Sequence, residues 1–316
     1  MGTLPWIALA TLAFTLPGSI AMKANTRQDY LQRIDRVVAA LQGAVEQGGE
    51  LPELARLAAV AHLSPFHFHR IYRALSGETV GQTVARLRLL RALQLLAEPS
   101  ERVTETALAV GYETPQAFAR AFRQAFDASP SEWRGQHERL QEAMQRLRSP
   151  AVAGDAGAVA MRVEVVSVEP FRVVATRYDG DYRDLDKAYG RLFEWAAGHA
   201  LLERMAGIYG VAHDGGPDAS YDRGAFDCAI AFHGGDVATD GYTFPLQLGG
   251  GLWARWRHVG SYDHLGAQTD RLVAAWLPDS GYVLRDEAPF RHFLDDPEDV
   301  PEAALRADVY LPIAPG

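Results

Sequence analysis

The 316-residue chain predicts a two-domain protein: an all-α N-terminal domain holding two helix-turn-helix units, then an α+β domain built from two strand-helix-strand repeats. Three observations carry that prediction. A fifteen-residue stretch recurs fifty positions further on; a small, flexible stretch separates two halves of different charge; and a second repeat, shifted by eighty, lies in the later half.

Residues 1–21 stand apart from both domains. Leu4 to Leu16 is almost wholly apolar and Ser19-Ile20-Ala21 resembles a small-residue cleavage site. Yet no Lys or Arg precedes Lys23, and a membrane span needs about 20 apolar residues. We read this extension as a start-site artefact and Met22 as the start of the first domain, residues 22–148.

Within that domain, AVAHLSPFHFHRIYR (59–73) stands over AVGYETPQAFARAFR (109–123), with six identities including Pro65/Pro115, Phe68/Phe118, Arg70/Arg120 and Arg73/Arg123. Each copy reads as a short helix, a turn, and a second helix opened by a hydroxyl cap and a proline, Ser64-Pro65 and Thr114-Pro115. Phe68 and Tyr72, like Phe118 and Phe122, lie four apart and predict the buried face. The opposite face carries Phe66, His69, Arg70 and Arg73 in the first unit and Gln116, Ala119, Arg120 and Arg123 in the second. Arginine suits guanine and phosphate alike, so two such faces suggest two DNA-reading helices. The plainer reading is ordinary solvated surface, which the duplication weakens. Between the copies, Thr79 to Ala97 predicts a helix of about 18 residues, roughly 27 Å long. That is close to the roughly 34 Å between successive major-groove faces, so one chain could read two neighbouring turns.

On these residues the domain resembles the DNA-binding domain of the AraC/XylS family of bacterial transcription regulators. ELPELARLAAVAHLSPFHFHRIYRALSGETVGQTVARLRLLRALQLL is similar to the family's first unit and connecting helix. VTETALAVGYETPQAFARAFRQAFDASPSEWR is similar to the second. The resemblance implies base-reading positions at Phe66, His69, Arg70, Gln116, Ala119 and Arg120; Ala119 departs from the polar residue often found there. It also implies a cytoplasmic protein with double-stranded DNA as its partner and RNA polymerase as a further one.

Charge divides along the same line. Residues 23–148 hold 17 Lys/Arg against 14 Asp/Glu, a net of +3, and residues 149–316 hold 14 against 26, a net of −12. Phosphate would repel the acidic half, which places DNA contact in the first domain. A lone cysteine, Cys228, excludes a disulfide framework and a cysteine-based zinc site. His62, His67 and His69 straddle a turn with no matching acid or cysteine set, so we assign no metal. Nor does the chain carry a phosphate loop or nucleophile elbow that would call for a cofactor or a catalytic residue.

Residues 149–160 (SPAVAGDAGAVA, running to Ala160) read as a linker. After it MRVEVVSV alternates like a half-buried strand, and RVVATRY, past Glu169-Pro170, reads as its continuation or its partner. The second repeat sets Gly180-Asp181-Tyr182-Arg183-Asp184-Leu185 over Gly260-Ser261-Tyr262-Asp263-His264-Leu265, with Trp195 and Trp276 one residue out of register. Two such units would form a cleft between them.

This half, 161–316, resembles the GyrI-like effector-binding domain through YGVAHDGGPD, FDCAIAF, GGLWARWRHVGSYDHL, AAWLPDSGYVL, PFRHFLDDP and ADVYLPI. The resemblance implies a small-molecule effector, hydrophobic or aromatic, held by aromatics and an acid. The residues that would hold it are Trp195, Trp256, Tyr262, Trp276 and Asp308; each tryptophan could equally be core, and Asp308 could face solvent. Arg291 occupies a position where the family commonly has glutamate, which opposes a cationic ligand: either the effector is neutral or anionic, or the acid comes from elsewhere, or the pocket no longer senses anything. It also weakens the alternative, a GyrI-like small-molecule hydrolase carrying a DNA-binding module, since such chemistry needs a carboxylate base.

Overall fold

The computed structural model describes residues 26–48, 50–98, 100–148, 161–213 and 223–316, without the side chains of Thr26, Phe66 and Arg223. The N-terminal extension, the proposed start at Met22 and the linker at 149–160 lie outside the described residues. The chain divides into two compact units, one holding the helices up to Leu147 and the other all the strands.

In the helical unit, α1 (Thr26–Glu46) buries Tyr30, Ile34, Val37, Leu41 and Val45, one stripe at helical spacing. That stripe packs on α2 (Leu54–Val60) and α3 (Pro65–Ser76), with Phe68 and Tyr72 at the centre. Gly77 takes a left-handed φ of 76° and ends α3. Next, α4 (Val80–Leu96) opens on a capping box between Thr79 and Gln82. Its first half (Val80, Val84, Leu87) belongs to the core of the first unit, and its second half (Leu89, Ala92, Leu93, Leu96) to that of the second. One 17-residue helix, about 26 Å long, therefore joins two separate cores. The second core is completed by α5 (Val103–Ala109), α6 (Pro115–Phe126), α7 (Pro130–Trp133) and α8 (His137–Leu147).

The fifty-residue repeat is not kept through the turn. α3 and α6 are fifty apart, whereas α2 and α5 end forty-nine apart. The left-handed residue is His62 in the first turn and Gly111 in the second, and equivalent backbone bonds close each: Leu63 N to Ala58 O, Tyr112 N to Ala107 O. The second turn thus holds one extra residue. The aligned pairs Ala59/Ala109 and Val60/Val110 are identical in letter but not equivalent in space.

Among the described residues the second unit is a sheet of nine antiparallel strands: β1 (Val163–Ser167), β2 (Phe171–Asp181), β3 (Met205–Ala212), β4 (Arg223–Phe232), β5 (Phe244–Leu248), β6 (Leu252–Val259), β7 (Tyr282–Leu284), β8 (Phe290–Phe293) and β9 (Arg306–Pro315). Eight lie in the order β1-β6-β9-β8-β3-β4-β2-β5, and β7 pairs with β9. The helices α9 (Leu185–Gly198) and α10 (Leu265–Trp276) follow β2 and β6. The expected kinship of β1 and β2 is corrected: β1 pairs with β6, bringing Val166 opposite Trp253, and β2 pairs with β4 and β5 at the far side. Alternation specifies a half-buried strand but not its neighbour, which long-range burial selects.

Residues opposite one another across strands share a face. Cys228, Gly210, Arg291 and Val309 are linked in this way, and α9 covers Cys228 while Leu265 of α10 covers Val309. Both helices therefore lie on one face. The other carries Asp227, Val211, Phe290 and Tyr310.

Candidate nucleic-acid interface and effector face

Helix α6 is built for presentation. The Thr114 hydroxyl accepts from the Ala117 amide at 3.1 Å and Pro115 takes the first helical position. Phe118 and Phe122 are wholly buried, and Phe122 and Phe126 pack on Trp133. This anchors one face and turns the other outward: Gln116, Arg120 and Arg123 are exposed and Ala119 is half-buried.

Helix α3 has the same buried side but a different outer one. The Tyr72 hydroxyl lies 2.6 Å from Thr83 Oγ1, and burial raises its pKa to about 12. His69 and Arg73 are half-buried, while Arg70 is only 4% exposed, and all three have interaction partners. The expectation that Arg70 and Arg120 are presented alike is corrected here: Arg120 faces solvent and Arg70 does not. Spacing put both on the outward stripe, but spacing alone does not set burial.

In the sheet unit the five effector-binding candidates do not gather. Trp256 and Tyr262 pack together with Phe293 over Leu265, Ala307 and Val309. Burial raises the Tyr262 pKa to about 12, and its oxygen lies 2.9 and 2.8 Å from the Asp295 and Arg306 carbonyls. Trp195 belongs to the cluster under α9 and donates its Nε1 hydrogen to Asp240 at 2.9 Å; that bond, with amide bonds from Tyr242 and Thr243, lowers the Asp240 pKa to about 2. Trp276 stacks on Tyr282. Asp308 is buried on the face opposite the helices, gripped through both carboxylate oxygens by Arg257 at 2.6 and 2.8 Å. It neither points at solvent nor shares a face with Trp256.

Two further groups lie outside the five candidates, and of their members the sequence marked only Arg291. On the helix face, Arg291 lies over the Phe226 ring at 5.7 Å, and Tyr189 donates to the Tyr209 carbonyl at 2.6 Å and meets Phe293 edge-on. Gly210 makes room for them, since a Cβ there would lie 2.4 Å from Phe226 Cζ and 2.9 Å from Tyr189 Oη. On the other face, Asp227 accepts from Arg177 Nε and Nη2 and lies 2.7 Å from His213 Nε2. Burial would raise the Asp227 pKa, but the bonds from His213 and Arg177 outweigh it and hold the carboxyl below the ordinary value. An aspartate inside the apolar run FDCAIAF was the available signal, because a buried carboxylate requires a partner.

Residues 57–136 match the helix-turn-helix domain family, and residues 161–314 match the GyrI-like small molecule binding domain family. The chain joins an AraC-type helix-turn-helix domain to a GyrI-like domain. The chain is 40% identical over 82 residues to the MmsAB operon regulatory protein of Pseudomonas aeruginosa, covering 26% of this chain and 27% of that one. It is 31% identical over 114 residues to the RCS-specific HTH-type transcriptional activator RclR of Escherichia coli, covering 35% and 40%. It is 32% identical over 71 residues to the regulatory protein SoxS of Salmonella typhimurium, covering 22% and 66%. The chain thus spans between about a quarter and two fifths of the first relatives' length. Among solved structures, the EcmrR C-terminal domain matches the GyrI-like domain at 15% identity and a TM-score of 0.41, covering 50% of this chain and all of that one. A cryo-EM structure described as the EcmrR-DNA complex in EcmrR-RPo matches at 12% identity and a TM-score of 0.41, covering 84% and all of it.

Among the described residues no helix is long and apolar enough to cross a membrane. Among those residues, too, no group of three His, Cys, Asp or Glu side chains is placed to hold a metal.

Proposed function

We propose that this chain is a cytoplasmic, sequence-specific transcription regulator: the AraC-type domain reads DNA, and the GyrI-like domain binds a small-molecule effector. The observation that carries this is α6, whose Gln116, Arg120 and Arg123 stand outward on a rigid aromatic base within a domain matched to a helix-turn-helix family. Ala119 lies on that stripe, and Phe66, His69, Arg70 and Arg73 hold the corresponding positions on α3. The first reader engages DNA once Arg70 is presented. The DNA-bound protein acts by recruiting or excluding a partner such as RNA polymerase.

For the effector we favour the helix face around Arg291, Tyr189, Phe226, Phe293, Trp256 and Tyr262, where a cation lies over one aromatic ring and other aromatics share the face. That chemistry favours a hydrophobic or aromatic compound that is neutral or anionic. Asp308, committed to Arg257, is not a ligand-binding acid in this reading. We also read the domain as two repeats. In each, an arginine (Arg177, Arg257) bonds the aspartate directly across from it (Asp227, Asp308), and a 3-10 turn (Tyr182–Asp184, Tyr262–His264) precedes the helix.

In vitro selection from a random duplex pool with the full chain tests the main claim. Enrichment of a common sequence is expected, and uniform recovery of all sequences would overturn it.

A further inference from the structure

We propose that Arg86 is a positioning residue that sets the first reader against the connecting helix and ties both to the end of α8. This rests on the DNA-binding reading above and extends it to how the two readers are held in register.

Arg86 lies on α4, about two turns past the Thr79 cap. Its Nε lies 2.9 and 3.1 Å from the two carboxylate oxygens of Glu78, and Nη2 also reaches that carboxylate. Glu78 sits in the connection that follows α3, where the Ser76 hydroxyl donates to the Glu78 carbonyl at 2.9 Å. The remaining arm, Nη1, donates to the Leu147 carbonyl at 2.9 Å. Leu147 ends α8, where helix carbonyls have no partner within the helix. One planar side chain therefore joins three elements: the end of the first reader, the spacer between the readers, and the helix that leads toward the GyrI-like domain.

Both members of the ion pair are about nine-tenths buried, their side chains 10% and 11% exposed. In such surroundings the pair is weakly screened and its geometry is strict, and removing one partner leaves the other charged and uncompensated. A guanidinium can bond a carboxylate through two nitrogens and still donate elsewhere, which a lysine ammonium cannot do in the same fixed plane. The site thus favours arginine for geometry beyond charge. Any movement that draws α8 away from α4 must break the bond to Leu147. The clip then loses one of its three attachments, and α4 is freer to tilt against the first reader.

The experiment uses the full chain, its Arg86→Met, Arg86→Lys and Glu78→Gln variants, and duplexes carrying the sequence that the unaltered chain selects. Each protein is titrated against the selected site, the same site with one half scrambled, and the site with one base pair inserted between halves. Thermal midpoints are read on the same preparations. Arg86→Met is expected to bind the half-scrambled duplex like the unaltered chain, yet to lose roughly tenfold on the intact site, a coupling of the size seen between interacting groups. It should also lose the preference for the original spacing, and Arg86→Lys should restore only part of both. An equal loss on intact and half-scrambled duplexes, or an unchanged spacing preference, would overturn the proposal, because a merely stabilising ion pair has no reason to distinguish them. Should Arg86→Met not fold, Glu78→Gln, which keeps size and removes charge, is read by the same criteria. If the unaltered chain selects no sequence, it is the DNA-binding reading that fails, a separate outcome.

Discussion

At the scale of single residues, Arg120 and Arg70 show how identical letters acquire different tasks. Arg120 stands on α6 in solvent, so its loss should leave folding alone and remove contacts to the duplex. Arg120→Ala should weaken binding to the selected site by about 1–3 kcal/mol with an unchanged thermal midpoint; a gel-shift titration showing unaltered affinity would refute its assignment. Arg70, buried and partnered, should affect both quantities, because its removal strands the groups it touches. Asp227 gives a prediction on pH. Its folded-state pKa is lowered, so the stability it confers is complete above the ordinary carboxylate value of about 3.9 and is lost as pH falls through the lower folded value. Asp227→Asn should therefore reduce the drop in urea midpoint between pH 7 and pH 3, and an undiminished drop would count against the role given to the pair.

Among the elements, the helix signals were legible because they are local. Hydroxyl-proline openings mark α3 and α6, and the four-residue spacing of aromatics fixes the buried face. The turn between α5 and α6 was less legible, since the extra residue there is invisible to an alignment of letters. Gly111 in that turn takes a φ of +83°, and a Cβ on it would meet the Arg88 guanidinium at 3.0 Å. Gly111→Ala should cost about 1–2 kcal/mol through backbone strain alone, measurable as a lowered midpoint of the helical unit. Strand existence was likewise readable from alternation, but pairing was not. β1 and β2 are separated by three residues and lie at opposite sides of the sheet, because each is placed by burial against distant strands. The effector-face candidates divide by the same logic. Trp256 and Tyr262 pack on one cluster with Val309 because β6 pairs with β9, whereas Asp308 is sent to the other face by a parity that becomes readable only once register is known.

For the whole molecule, the charge division predicts that DNA binds through the first domain. The half beyond Ser149 carries the acidic excess, and the helical unit has two cores of its own. Residues 22–148 alone should therefore bind the selected duplex at least as tightly as the full chain, the difference shrinking as salt rises. A gel shift in which this fragment folds yet fails to bind would show that the second domain contributes to the interface.

The sequence by itself determined the two domain classes, the helices with their caps, the buried faces of α3 and α6 and the family resemblances, since these depend on neighbours within about one helical turn or one strand. Only the tertiary structure decided that Arg70 is covered while Arg120 is open, that Asp308 answers to Arg257, and that Arg86 reaches both Glu78 and Leu147. Each of those outcomes depends on which distant groups exclude water from a charge, and a chain read in order does not state that distance.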